Sequence, residues 1–301
     1  ALYRSFPWFR QLPAFLQVWP AHGAGTACGK GLGAVPSSTV GYEKLFNPAL
    51  QYTDEDEFVK YILSEQPEAP TYFALMKRVN KEGPTVLGED GLPVAQPMSE
   101  LRLAIDSATV IDLSNSDQFA VGHVPGSINI PTSMLAPWAG WLVDYSKPVS
   151  LIAEPNQVPE ATRVLRKIGL DNLRGYFDKS LVQESGQANG TYLRRTPTEL
   201  APRIKSGEVT LLDVRSESEW NAGHIPCAEH HFLGHLPTEL KTFQERKTFV
   251  TQCQSSARSA IAASVLQSAG VDVVDMSGGL AEWKDAGLPV STKSNVVPCE
   301  S

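Results

Sequence analysis

An internal repeat constrains this chain more than any other feature. Residues 111–126, IDLSNSDQFAVGHVPG, align without a gap to residues 212–227, LDVRSESEWNAGHIPC. The offset of 101 sets Asp112 against Asp213 and Phe119 against Trp220. It also sets Gly122-His123-Val124-Pro125 against Gly223-His224-Ile225-Pro226, and Leu165 and Gly169 against Leu266 and Gly270. Solenoid repeats run ~20–50 residues, so this longer period means a duplicated domain. Each copy reads strand, helix, strand, helix, with β-branched strands. That pattern predicts an α/β fold whose parallel sheet is covered by helices on both faces.

The second copy carries the clearer local signals. Thr196-Pro197-Thr198-Glu199 is a capping box with Pro at the first helical position, and opens a helix reaching Lys205. Residues 209–214 read as a buried strand, 218–222 as a helical turn, 237–245 as a helix and 271–276 as a further strand. Between the last two lies 248–269, TFVTQCQSSARSAIAASVLQSA, which reads as strand, tight loop and helix. Ile261, Val265 and Leu266, with Ala262 and Ala269, fall on one helical face, and Gly270 stops the helix.

The loop Cys253-Gln254-Ser255-Ser256-Ala257-Arg258 sets a cysteine at a strand's carboxyl end, directly before a helix N-terminus. Open α/β sheets expose ligand-binding groups there, and unpaired N–H groups with the helix dipole favour an anion. The helix terminus and Arg258 both favour thiolate, which is the nucleophile. The first copy has no cysteine. Its strand 149–153 runs into Glu154-Pro155-Asn156-Gln157, which puts Ile152 or Glu154 in the place of Cys253 and makes this copy catalytically silent.

Composition narrows the function classes. A net charge of -7 with no Lys/Arg run argues against general nucleic-acid or membrane-surface binding. No apolar run approaches the ~20 residues that span a bilayer. The four cysteines, Cys28, Cys227, Cys253 and Cys299, have irregular spacing, so a reduced, cytoplasmic protein without a disulfide framework is expected.

The first 95 residues form a separate unit. A helix-like start, which suggests that a preceding segment is missing, leads to a short strand at 16–19 and His22. A glycine-rich loop follows, then helices near 54–64 and 70–80 and a Gly/Pro-rich linker at 88–97. Gly25 to Lys30 falls one residue short of a Walker A spacing, and Gly31 stands where Ser or Thr is required, so a phosphate site is not expected. His22 sits where a metal ligand is common, but one histidine is no metal site. His230, His231 and His235 read as loop polarity.

Several pieces of the second copy resemble the rhodanese family of sulfurtransferases. They are Asp213-Val214-Arg215, Glu219-Trp220, Gly223-His224-Ile225-Pro226, Cys253-x-x-x-x-Arg258, and Gly278-Gly279 followed by Trp283. The resemblance implies that Cys253 accepts a sulfane sulfur as a persulfide and passes it to a thiol, sulfite or cyanide. Arg258 would close the loop, the 254–257 N–H groups would cradle the anion, and Asp213 and His224 would support it. Cys227 stands where the family usually has Gly; it and Cys28 are candidate second thiols.

The run Val18-Trp19-Pro20-Ala21-His22-Gly23 with Ala27-Cys28-Gly29-Lys30 resembles the C-terminal end of the metallo-β-lactamase fold in persulfide dioxygenases fused to two rhodanese repeats. The division implied is 1–97 for the end of that domain and linker, 98–190 for an inactive rhodanese repeat, and 191–301 for the active repeat and tail. The family's His-x-His-x-Asp-His ligands are absent from this sequence, and His22 matches only the last histidine of the fold. No cofactor is therefore expected within this chain; iron or zinc is expected only where the N-terminal half is present. The partners implied are small persulfides, thiosulfate and low-molecular-weight thiols in sulfide detoxification, with a homo-oligomeric state. Two other readings stay open: a cysteine phosphatase or arsenate reductase, whose loops usually carry one more residue between Cys and Arg, and a non-catalytic docking scaffold.

Overall fold

The structure is a computed structural model and describes residues 1–20, 37–64, 70, 72–84, 86, 91–243 and 248–292. The chain divides into two compact units, Ala1–Ala69 and Pro70–Ser301.

The first unit holds helix α1 (Leu2–Gln11), an antiparallel pair β1 (Gln17–Val18) and β2 (Ser38–Thr39), and helices α2 (Val40–Phe46) and α3 (Glu55–Leu63). Asp54 caps α3 by accepting from Glu57 N at 2.9 Å. Phe6, Leu50 and Phe58 form its small core. His22, Cys28 and the glycine-rich loop lie outside the described residues.

The second unit opens with α4 (Tyr72–Glu82). The first repeat then runs α5 (Leu101–Ser107), β3 (Thr109–Asp112), α6 (Ser116–Val121), β4 (Ile128–Asn129), α7 (Thr132–Leu142), β5 (Val149–Ala153), α8 (Val158–Lys167), β6 (Leu173–Asp178) and α9 (Lys179–Glu184). Its sheet has the order β4-β3-β5-β6, all parallel. The second repeat runs β7 (Leu193–Arg195), α10 (Pro197–Lys205), β8 (Thr210–Asp213), α11 (Glu217–Ala222), β9 (Glu229–His230), α12 (Leu236–Phe243), β10 (Phe249–Gln252), α13 (Ala257–Ser268), β11 (Val273–Met276) and α14 (Gly279–Asp285). Its parallel sheet has the order β7-β11-β10-β8-β9.

Strand register aligns the two repeats residue by residue and corrects one sequence-based expectation. Asp112 pairs with Ile152, and its counterpart Asp213 pairs with Gln252. Leu113 N donates to Ile152 O, and Val214 N to Gln252 O, each at 3.0 Å. Ile152 therefore matches Gln252, and Ala153, not Ile152 or Glu154, stands where Cys253 stands. The offset is 100 here and returns to 101 by the end of the following helix, where Leu170 N bonds Leu165 O as Val271 N bonds Leu266 O. The first repeat's loop is thus one residue shorter. An ungapped reading hides this because the gap falls inside the loop.

Helix α13 also differs from expectation. Every residue from Ser259 to Leu266 is buried, so it presents no single apolar face. It lies against β10 and β11 of its own sheet and against β4 of the first repeat, where Ser264 Oγ accepts from Asn129 N at 2.8 Å. Small Ala and Ser residues allow that approach from several sides. One hydrophobic core, with Leu135, Leu151 and Leu165 from one repeat and Leu233, Phe249 and Leu266 from the other, runs through both copies. Gly270, at φ +79, ends α13 in a Schellman arrangement.

Candidate active site

Cys253 follows the last residue of β10, is 1% exposed, and is the free cysteine among the described residues. The loop after it is shorter than the sequence suggests. Helix α13 begins at Ala257, so Arg258 lies in its first turn. Ser256 permits the early start by adopting a left-handed conformation, φ +70, and donating its hydroxyl to Met276 O at 3.2 Å.

The carbonyls of Cys253 and Gln254 are tied to α14. Leu280 N donates to Cys253 O at 2.8 Å and Ala281 N to Gln254 O at 3.1 Å. This approach needs the glycine pair: Gly278 and Gly279 have φ of +67 and +57, and a Cβ on Gly279 would stand 2.3 Å from Cys253 O. Among the described residues, Gln254, Ser255, Ser256 and Ala257 donate no backbone hydrogen bond. Free N–H groups beside a left-handed residue and a helix N-terminus form an anion cradle.

Arg258 is clamped by Glu219, a residue that sequence reasoning placed in a family motif without giving it a role. Arg258 donates to both Glu219 oxygens at 2.7 Å. The hydrogen bond from Arg258 holds the Glu219 carboxyl down to about 2, against the rise from burial, and Glu219 in turn raises Arg258. Cys253 and Asp213 are smaller attractive neighbours of the guanidinium, so the structure brings these sequence-selected residues together. The available signal was Ser216-x-x-Glu219, which reads as a capping box and hides the second task. The box does form, with Ser216 N donating to the same Glu219 oxygen at 3.1 Å.

The other selected residues serve the frame. Asp213 accepts from buried Arg215 at 2.6 Å, and Arg215 also donates to Gly223 O at 2.8 Å. His224 stacks on Trp220 at 3.6 Å, and its Nδ1 lies 3.0 Å from Trp220 O. His123 repeats this on Phe119 at 4.0 Å in the silent copy, so the contact belongs to the fold. His230 contacts Arg215 O, His231 contacts Glu239, and His235 packs on Trp141 and Phe232. No group of three or more His, Cys, Asp or Glu among the described residues is placed to hold a metal ion. Cys227 is disulfide-bonded, so it is not a free second thiol. It holds φ +68 where Gly126 of the first repeat holds +92, a backbone shape natural to glycine. Cys28 and Cys299 lie outside the described residues. No helix among the described residues is long and apolar enough to cross a membrane.

The silent repeat lacks the whole charged set. Ala153, Gln157, Gln118 and Ser114 take the places of Cys253, Arg258, Glu219 and Arg215. Asp112, left without an arginine, is raised by burial, with Ser114 offsetting part of the rise.

Comparison with known proteins agrees with this geometry. The rhodanese-like domain model matches residues 97–182 and 196–286. The chain is 36% identical over 97 residues to the HTH-type transcriptional regulator Rv0324 of Mycobacterium tuberculosis, covering 32% of this chain and 43% of that protein. It is 33% identical over 82 residues to the putative sulfurtransferase YtwF of Bacillus subtilis, covering 27% of this chain and 80% of that one. A solved metallo-beta-lactamase from Staphylococcus aureus is 35% identical with a TM-score of 0.49, covering 58% of this chain and 48% of that one. The chain thus spans less than half the length of the first of these relatives. Two matched segments, one with a complete cysteine loop and one without, make this chain a member of the rhodanese-like domain family with two copies in tandem.

Proposed function

We propose that the chain is a sulfurtransferase that moves sulfane sulfur through Cys253. The observation that carries this reading is the free cysteine opening onto unpaired loop N–H groups, beside an Arg258–Glu219 clamp that the silent repeat lacks. The thiolate of Cys253 attacks the outer sulfur of thiosulfate or a persulfide. A new S–S bond forms, the donor's S–S bond breaks, and sulfite or a thiolate leaves with the electron pair. The N–H groups of 254–257 stabilise the terminal sulfur anion without reorganisation at the moment of reaction. A thiol, sulfite or cyanide then attacks that sulfur and Cys253 leaves as thiolate, which gives ping-pong kinetics. The four-residue span between Cys253 and Arg258 encloses one sulfur atom more readily than a phosphate tetrahedron.

The sequence resemblance of residues 18–30 extends the proposal to a persulfide dioxygenase fusion in sulfide detoxification, in which the transferase works beside an iron site supplied by another segment. The test is incubation with thiosulfate or a glutathione persulfide, followed by intact mass measurement. A gain of one sulfur atom, lost in Cys253→Ser, is expected; absence of any gain with every donor would sink the reading and favour the scaffold.

A further inference from the structure

The register alignment exposes a second difference between the repeats, buried under the catalytic loop. Thr251 pairs with Asp275, and Asp275 with Arg194. Their counterparts in the silent repeat are Leu151, Tyr176 and Ala95, which pair in the same way. Ser259, in the first turn of α13, has Val158 as its counterpart. Four polar positions in the cysteine-bearing copy are thus apolar or aromatic in the copy without the cysteine.

These residues meet. Asp275 is wholly buried, and Arg194 Nε donates to its Oδ2 at 2.9 Å. Arg194 also bonds Asp117 of the first repeat, whose side chain is 82% exposed. The Asp275 carboxyl faces the hydroxyls of Ser259 and Thr251. Neither closes an aligned bond, and Asp275 Oδ1 and Thr251 Oγ1 are buried without a hydrogen-bond partner among the described residues. Ser259 Oγ donates instead to Ser256 O at 3.2 Å, the residue whose left-handed conformation shapes the loop. Burying an unpaired polar atom is costly, because its bonds to water are lost and not replaced. The silent repeat shows that the fold is built without this expense.

We propose that Asp275 is a positioning residue for sulfur transfer: held by Arg194 in a carboxylate–guanidinium–carboxylate chain rooted at Asp117 in the silent repeat, it places a buried negative charge beside the Thr251 and Ser259 hydroxyls and so sets the first turn of the helix that carries Arg258. The proposal rests on the sulfurtransferase reading above. Burial pushes Asp275 up to about 6, with Ser259, Arg194 and Thr251 pulling against the rise. The ionisable groups facing it are Arg194 from β7 and Tyr192 just before that strand, and Asp117 from α6 bonds the same Arg194; β10 and α13 present hydroxyls. Ionised Asp275 grips Arg194 and attracts Ser259, whereas protonated Asp275 releases the guanidinium.

The test measures sulfur transfer from thiosulfate to cyanide across pH in the full chain and in Asp275→Asn. The ratio of wild-type to variant rates cancels the titration of cyanide and of the thiol. That ratio is expected to rise at least threefold as pH passes through about 6, with the KM for thiosulfate unchanged. A ratio that stays flat with pH while the wild type transfers sulfur overturns the positioning role and leaves the sulfurtransferase reading intact. A wild type that loads no sulfur overturns both. Where Asp275→Asn does not fold, Asp117→Asn decides, because that side chain is exposed. Removing Asp117 leaves Arg194 to one carboxylate, so the pH limb is expected to move to lower pH; an unmoved limb overturns the proposal.

Discussion

Glu219 holds Arg258 through two hydrogen bonds of 2.7 Å while closing the capping box of α11 with Ser216. One carboxylate thus fixes both the start of a helix and the arginine of another element. Glu219→Gln retains a capping side chain but loses the charged, bidentate pairing. Turnover of thiosulfate and cyanide is expected to fall about tenfold, while stability drops by only about 1 kcal/mol because both groups are partly exposed to water. Steady-state kinetics beside thermal melts check the two effects separately. Unchanged turnover would mean that Arg258 needs no clamp.

The same pair sets an acid limit. Glu219 is lowered from 4.5 to about 2 by Arg258. A depressed carboxylate contributes stability that is fully present above the unfolded value and is lost as pH falls through the folded one. Wild type is therefore expected to exceed Glu219→Gln in stability by a constant margin above pH 4.5, a margin that shrinks as pH falls toward 2. Urea melts of both proteins across this range measure it.

Ala153 occupies the position of Cys253, so the silent repeat offers a direct test of what the loop adds. Ala153→Cys in a Cys253→Ser background restores a cysteine at the strand end. It restores neither the extra loop residue, nor the left-handed Ser256, nor the arginine and its partner, since Gln157 and Gln118 stand there. No sulfur gain on the introduced thiol is expected by intact mass after thiosulfate loading. Gain at the wild-type rate would show that the strand end alone activates the thiol.

Much of this was legible in the sequence, for physical reasons that also explain the rest. The repeat, the Thr196–Glu199 capping box and the Gly270 stop are local patterns, and the structure forms each of them. The equivalence of Ala153 was not legible, because a one-residue gap inside a loop leaves the flanking periodicity untouched. The burial of α13 on all sides depends on β4, far away in the chain, which no local pattern reports. Glu219 was visible only as part of a motif, because the arginine it holds lies 39 residues away on another element. Asp275 was concealed because one carboxylate in a strand reads as solvent-facing until the sheet order places it in the interior.

Gly279 lies where α14 comes down on the cysteine loop. Its φ of +57, and the 2.3 Å that would separate an added Cβ from Cys253 O, leave no room for a side chain. Gly279→Ala must push back the backbone that accepts from Leu280 N. A loss of about 2 kcal/mol in stability and a larger proportional loss of transfer activity are expected, because strain is delivered to the nucleophile's own carbonyl. Gly287, also at positive φ but with no atom near an added Cβ, is the control. Gly287→Ala should lose about 1 kcal/mol of stability, from its left-handed backbone alone, and keep its activity. Thermal melts and thiosulfate–cyanide turnover on both variants separate the two effects.

The first repeat carries no cysteine, yet the second cannot be separated from it without exposing apolar surface. Phe232 of the second repeat packs on Trp138 and Trp141 of the first, with ring centroids 6.0 and 5.1 Å apart. A side chain on Gly234 would stand 2.4 Å from Trp141. Helix α13, which leads directly out of the cysteine loop, meets β4 on one side. Each large apolar side chain returned to water costs about 1.5–3 kcal/mol, against a typical domain stability of about 5–15 kcal/mol. Two or three such exposures remove much of the margin. A fragment of residues 191–301 is therefore expected to be unfolded or aggregated by circular dichroism and size exclusion, and to load no sulfur. A folded, monomeric fragment with full activity would show that the silent repeat does not support the catalytic one.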